Sequence, residues 1–160
     1  MIVVVDSSAL ITLARIGRVG LLYSVAGAVH VPDAVFEEVV HQGAGRPGSE
    51  ELANASWVVC HSVRDTASVD RLCARLGRGE SEAIVLAKEL SANFLVIDDA
   101  AARRAANAEE QPVVGLPGLL IYAKARGLVT AIKPLLDEML GSGFFLDSAH
   151  YRSILQRAGE

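Results

Sequence analysis

Residues Ile2-Val3-Val4-Val5 form a run of β-branched side chains with no polar residue among them, and the run stops at Asp6. Strand side chains alternate between two faces, so an unbroken apolar run needs cover on both, as in a parallel sheet sandwiched by helices. Leu95-Val96-Ile97 repeats the pattern and stops at Asp98-Asp99. Two such strands commit the chain to an α/β architecture, because parallel neighbours are joined by crossovers that are usually helices.

The rest of the chain supplies those crossovers. Ser7 and Ser8 are capping residues, and Leu10, Leu13 and Ala14 follow at helical spacing. A helical patch from Val19 to Ala26 leads to a strand over Ala28 to Val31. Pro32 then opens a helix with the apolar stripe Val35, Phe36, Val39 and Val40. His41 to Ser49, with Arg46-Pro47-Gly48, reads as a surface loop. Beyond it come a helix from Glu50 to about Ala55, a strand from Trp57 to Val63, and a helix carrying Val69, Leu72, Cys73 and Leu76 that Gly77 and Gly79 end. Glu80 to Leu90 is helical, Phe94 to Ile97 a strand, Asp99 to Asn107 a helix and Pro112 to Val114 the fifth strand. Leu116 to Arg126, Thr130 to Leu140 and Ser148 to Gln156 read as helices. No repeat, linker or low-complexity tract interrupts the pattern, which predicts a single domain over residues 1–160.

Composition narrows the class. With 51% hydrophobic and 21% charged residues in 160, the chain folds rather than staying disordered, and a domain of this size needs no disulfide or zinc staple. Cys60 and Cys73 fit neither a Cys-x-x-Cys motif nor a zinc pattern, and read as buried small hydrophobes in a reducing compartment. Mean hydropathy is +0.34. Yet the longest uncharged stretches, Val19 to Pro32 and Gln111 to Ala123, fall short of the roughly 20 apolar residues that span a bilayer. The amino terminus meets Asp6 without a positive region, unlike a signal peptide, so the expected location is the cytoplasm and no membrane partner is expected. A net charge of −4 argues against a protein that coats itself in basic residues to hold nucleic acid.

Ligands of open parallel sheets bind outside the carboxyl ends of the strands, where strand order reverses. If the first and fourth strands are neighbours, Asp6 and Asp98 face each other across that crevice. Carboxylates so placed repel unless they share a proton or a cation, and hard divalent ions such as Mg²⁺ or Mn²⁺ take oxygen ligands. Each acid also has an ordinary alternative. Asp6, Asp98 and Asp99 could cap the helices they precede, and Asp99 with Arg103 makes an i,i+4 pair. Glu80 and Glu82, about 200° apart on an ideal helix, cannot both point inward unless Glu80 sits in the cap. Glu37 and Glu38 lie equally far from the centre of their apolar stripe, so periodicity does not choose between them.

The order of these segments resembles the PIN-domain family, which includes VapC-type toxin ribonucleases. The resemblance is carried by Ile2-Val3-Val4-Val5-Asp6-Ser7-Ser8-Ala9-Leu10-Ile11, Val31-Pro32-Asp33-Ala34-Val35-Phe36-Glu37-Glu38-Val39, Leu76-Gly77-Arg78-Gly79-Glu80-Ser81-Glu82-Ala83-Ile84 and Leu95-Val96-Ile97-Asp98-Asp99. Gly115-Leu116-Pro117-Gly118 and the Gly-Glu-x-Glu-Ala-Ile turn look like an uncharacterised prokaryotic branch. The resemblance implies a three-layer α/β/α domain around a mostly parallel five-stranded sheet in the order 3-2-1-4-5. It also implies an acidic nuclease site holding Mg²⁺ or Mn²⁺. Carried over by motif, the acids are Asp6, Glu38, Glu80 and Asp98, with Glu82 and Asp99 as substitutes or outer partners. Many active members have Asp where this chain has Glu80, whose longer side chain still reaches a cation.

These readings lead to a metal-dependent endoribonuclease acting on single-stranded RNA. A divalent ion would activate water and neutralise charge on the scissile phosphate. Ser7 or Ser8 would hydrogen-bond a site carboxylate. Arg71, Arg75 and Arg78, spaced as one helix face, and Arg103 would meet substrate phosphates. The competing expectation is a PIN-fold module that binds nucleic acid or protein without hydrolysis. Receiver-like and phosphatase readings are weaker, lacking a strand-end Lys and a second Asp two residues after Asp6. The resemblance further implies a homodimer and an antitoxin partner, for which the helix around Phe36 and Gly143-Phe144-Phe145-Leu146 are candidate surfaces. With the seven acids at positions 6, 37, 38, 80, 82, 98 and 99 set aside, the 15 basic residues outnumber the remaining acids. The acidic total then excludes only nucleic-acid binding without metal.

Overall fold

The computed structural model describes residues 1–160. Strands β1 (Val3–Val5), β2 (Val29–Pro32), β3 (Val58–His61), β4 (Phe94–Val96) and β5 (Val113–Val114) form one sheet, in the order β3-β2-β1-β4-β5. Every pairing is parallel, with Val4 opposite His30 and Val5 opposite Val96. The predicted architecture and strand order are those found.

Helices α1 (Ser7–Arg15), α2 (Gly20–Ala26), α8 (Leu116–Ala125), α9 (Lys133–Gly141) and α10 (Ser148–Arg157) pack on one side of the sheet. There Val3, Val5 and Val96 meet Leu10, Leu13, Leu120 and Leu136. Helices α5 (Thr66–Cys73), α6 (Arg78–Glu89) and α7 (Ala100–Ala108) cover the other side, where Val4, Leu95 and Ile97 meet Val69, Ile84 and Ala102. Alternate residues of β1 and β4 thus enter opposite cores, which is why both strands carry no polar residue. No single helix is long and apolar enough to cross a membrane.

Several local features depart from the sequence pattern. The helix opened by Pro32 is α3 (Asp33–Phe36), which runs into a π-helical turn over Glu37–His41. The next loop ends at Gly48, whose φ of +82° suits glycine and whose Cβ, if present, would stand 2.3 Å from the Ala14 Cβ. Helix α4 (Ser49–Ala53) begins there, one residue before the predicted start. Helix α6 begins at Arg78 rather than Glu80, placing Gly79 inside its first turn. Helix α9 begins at Lys133 rather than Thr130. Arg71, Arg75 and Arg78 do not share a helix face, because α5 ends at Cys73 and Arg78 opens α6.

The cysteines also differ from expectation. Cys73 is only partly buried, and Cys60 is exposed on the edge strand β3, where its thiol donates to the Asp33 carboxylate at 3.1 Å. Cys60 belongs to neither of the apolar cores that cover β1 and β4.

The larger core is anchored by side chains such as Leu120, which has no solvent exposure. Leu120→Ala should lower the free energy of unfolding by about 2–5 kcal/mol, read as a lower midpoint in urea denaturation with an unchanged slope.

Candidate active site

Asp6 leaves β1 directly into α1. Its backbone is extended, and its Oδ1 caps the helix by accepting the Ala9 N–H at 2.9 Å. The ordinary capping role therefore occupies one oxygen. The other, Oδ2, is buried with no hydrogen-bond partner, and the residue has no solvent exposure. Burial pushes the Asp6 carboxyl up to about 8; the Ala9 N–H opposes this, and the fields of Asp98, Glu80 and Glu38 reinforce it.

Asp98 repeats the arrangement beside it. Its Oδ1 accepts the N–H of Leu116, the first residue of α8, at 2.9 Å, and its Oδ2 is buried without a partner. Burial pushes this carboxyl up to about 6, against the lowering effects of the Leu116 N–H and the Arg103 guanidinium. Gly115 makes the approach possible. A Cβ there would stand 2.9 Å from Asp98 Oδ1 and 2.6 Å from an Arg103 guanidinium nitrogen.

Two glutamates close on this pair from the sides. Within the π-helical turn, Glu37 points outward and pairs with His41. Glu38 points inward, and its Oε2 accepts the hydroxyl proton of the buried Ser7 at 2.5 Å. Its carboxylate lies over Gly79, where a Cβ would come within 2.7 Å of Oε1. Glu80, next in the chain, turns its Oε2 back to the Gly77 N–H at 3.2 Å. Its carboxyl is raised by burial and by Asp99 and Glu38, with the Gly77 N–H opposing.

The remaining residues singled out in the sequence lie around this group or away from it. Asp99 is exposed and caps α7 through the Ala102 N–H at 2.8 Å, though its field reaches Glu80. Glu82 is buried but faces another way. One of its oxygens accepts the Ala34 N–H at 3.0 Å, and the other accepts from Arg78 Nε at 3.1 Å. Ser8 is exposed. Arg71, which donates to Ser68 at 2.7 Å, and Arg75 line a separate cavity between α5 and α6, and Arg103 is the arginine whose charge reaches Asp98. The sequence marked Gly79 only as the end of a helix and gave no role to Gly115 or the Leu116 N–H, although both glycines stand in the segments that carried the resemblance.

No three His, Cys, Asp or Glu side chains are drawn tightly enough together to form a ready-made cation cage. The donor set nevertheless fits a hard divalent ion. It is made of oxygens alone, and two buried carboxylate oxygens from adjacent strands lack any donor. Such groups call for a proton, a water or a cation. Asp6 and Asp98 would hold the ion, with Glu38 and Glu80 within electrostatic reach. The first turns of α1, α6 and α8 also open at this spot, and their N–H groups favour negative charge.

The model of a protein family described as a PIN domain matches residues 2–160. No curated protein and no solved structure matches the chain.

An acid whose folded pKa is raised stabilises the fold fully below its unfolded value, and that stability is lost as pH rises toward the folded value. For Asp6 the window runs from about 4 to about 8. Asp6→Asn keeps the oxygen that accepts the Ala9 N–H and removes the charge. It should therefore melt higher than the parent at pH 8, by about 5–10 °C, with little difference at pH 4. Millimolar Mn²⁺ should raise the melting temperature of the parent at pH 8 far more than at pH 5, and should leave Asp6→Asn nearly unmoved.

Proposed function

Because the chain belongs to the PIN-domain family, whose members are generally nucleases, we propose that it is a Mg²⁺- or Mn²⁺-dependent endoribonuclease acting on single-stranded RNA. The observation that carries this reading is the pair of buried, unpartnered oxygens, Asp6 Oδ2 and Asp98 Oδ2, at the ends of adjacent strands. A bound divalent cation supplies Lewis acidity, which neutralises charge on a phosphate and makes water a better nucleophile at neutral pH.

The protein's own groups perform the rest. Asp6 and Asp98 hold the cation, each steadied through its other oxygen by a helix N–H. Ser7 fixes Glu38 by donating to Oε2, which leaves Oε1 free of hydrogen bonds to accept a proton from an attacking water. Glu80 adds negative charge that strengthens cation binding. Arg103 makes no ion pair within the protein and stands beside Asp98, where it meets a substrate phosphate. Motif order shared with VapC-type toxins supports a finer form of the proposal, in which the chain is the cytoplasmic toxin of a toxin–antitoxin pair and works as a homodimer.

Incubation of the purified chain with end-labelled single-stranded RNA tests the reading. Fragments should appear with Mg²⁺ or Mn²⁺ and not with EDTA, and at limiting cation the rate should rise with pH, because protons on Asp6 and Asp98 compete with the cation. Asp6→Asn, still folded, should cut the rate by at least about a hundredfold. Undiminished cleavage by that variant would overturn the assignment. Retained RNA binding without cleavage by the parent would favour a binding module instead.

A further inference from the structure

Beside Asp98 the surface opens into a cleft of about 520 Å³, within the roughly 300–1,000 Å³ typical of small-ligand sites. Its walls carry Arg103, Arg104 and Asn107 from α7 and Phe145 and His150 from the chain around α10. Phe145 is the outlier of the molecule, 86% exposed, while no other large hydrophobic residue exceeds 53%. Its neighbours Phe144 and Leu146 pack against the larger core, and Asp147 caps α10 through the His150 N–H at 2.8 Å. The ring is therefore held out by anchored backbone on both sides. His150 is fixed too, its Nδ1 2.5 Å from the Asp147 carboxylate. Neither Arg103 nor Arg104 has an ion-pair partner in the protein.

A single exposed ring flanked by unpaired guanidinium groups differs from a protein-docking patch, which needs contiguous apolar surface. It matches the needs of a nucleotide, which presents a π-face at one end and a phosphate at the other. We propose that the cleft is the subsite for one unpaired nucleobase of the substrate strand, stacked on Phe145, with the adjoining phosphate on Arg103 and Arg104. The assignment rests on the nuclease reading for its position next to the reacting phosphate. It names the feature of the substrate that the acids cannot read, an unstacked base.

The test is a fluorescence titration with a short single-stranded oligoribonucleotide carrying 2-aminopurine, whose emission falls on stacking, run in Mg²⁺ and again in EDTA. The parent chain should quench it. Phe145→Ala should bind roughly tenfold more weakly, and Phe145→Trp should restore both quenching and affinity. In cleavage assays Phe145→Ala should raise KM by a similar factor and leave kcat in place. A melting curve matching the parent's would show that the exposed ring is not needed for folding. Absence of quenching in both media, or equal quenching by the parent and Phe145→Ala, overturns the subsite. So does a loss of self-association by Phe145→Ala with oligonucleotide binding unchanged, which would assign the ring to a contact between copies of the chain. Phe145-dependent quenching with no product in Mg²⁺ sustains the subsite and removes the nuclease reading. Cleavage with an unchanged KM in Phe145→Ala does the reverse.

Discussion

Parallel pairing of β1 with β4 sends Asp6 and Asp98 out of the same edge of the sheet, and each keeps one oxygen buried without a donor. Burial disfavours the charged form of both and raises their affinity for protons, and the field of Asp98 further repels charge on Asp6. The surrounding structure answers that repulsion. Ala9, Gly77 and Leu116 each give a backbone N–H to one of the acids, from the first turns or caps of three different helices, and Ser7 gives its hydroxyl to a fourth. The acids are thereby held in place before any counter-charge arrives. Electrostatic preorganisation of this kind lets a site work without rearranging around its substrate.

The scaffold explains how the strain is tolerated. β1 and β4 lie in the interior of the sheet with apolar cores on both sides, so their ends cannot drift apart without exposing Val4, Leu95 and Ile97. Glu82 supplies a second brace. By joining the Ala34 N–H to Arg78 it ties the start of α3, which runs into the π-helical turn carrying Glu38, to the start of α6, which carries Glu80. An acid that the resemblance offered as a substitute ligand or outer partner thus links the elements that lead to two others.

Asp6 and Asp98 were legible in the sequence because a doubly covered strand writes itself as an apolar run, and the residue ending such a run lies at the sheet edge where ligands bind. The motif pointed to Glu38, but periodicity could not choose between Glu37 and Glu38. A helical wheel assumes 3.6 residues per turn, and the π-helical turn over Glu37–His41 breaks that assumption at the residues in question. The wheel did show that Glu80 and Glu82 diverge. Which one turns inward depends on Ala34 and Arg78, and the former is 48 residues away in the chain. The supposed arginine face failed for a similar reason. A break in the helix after Cys73 leaves no regular sequence signal beyond the glycines, which marked a boundary but not its position. Phe145 gave no sign of standing free, since its apolar neighbours on either side do pack inward.

Gly79 and Gly115 have a meaning that chemistry-centred reading passes over. Neither side chain offers a proton or a charge, yet a methyl group on either would stand under 3 Å from a carboxylate oxygen and push that side chain out of its place. Part of what this chain encodes is therefore vacancy, kept open at two backbone positions so that Glu38 and Asp98 can lie against the main chain. In a designed copy of the site, reproducing every reactive group and filling those two spaces would give the right inventory in the wrong shape.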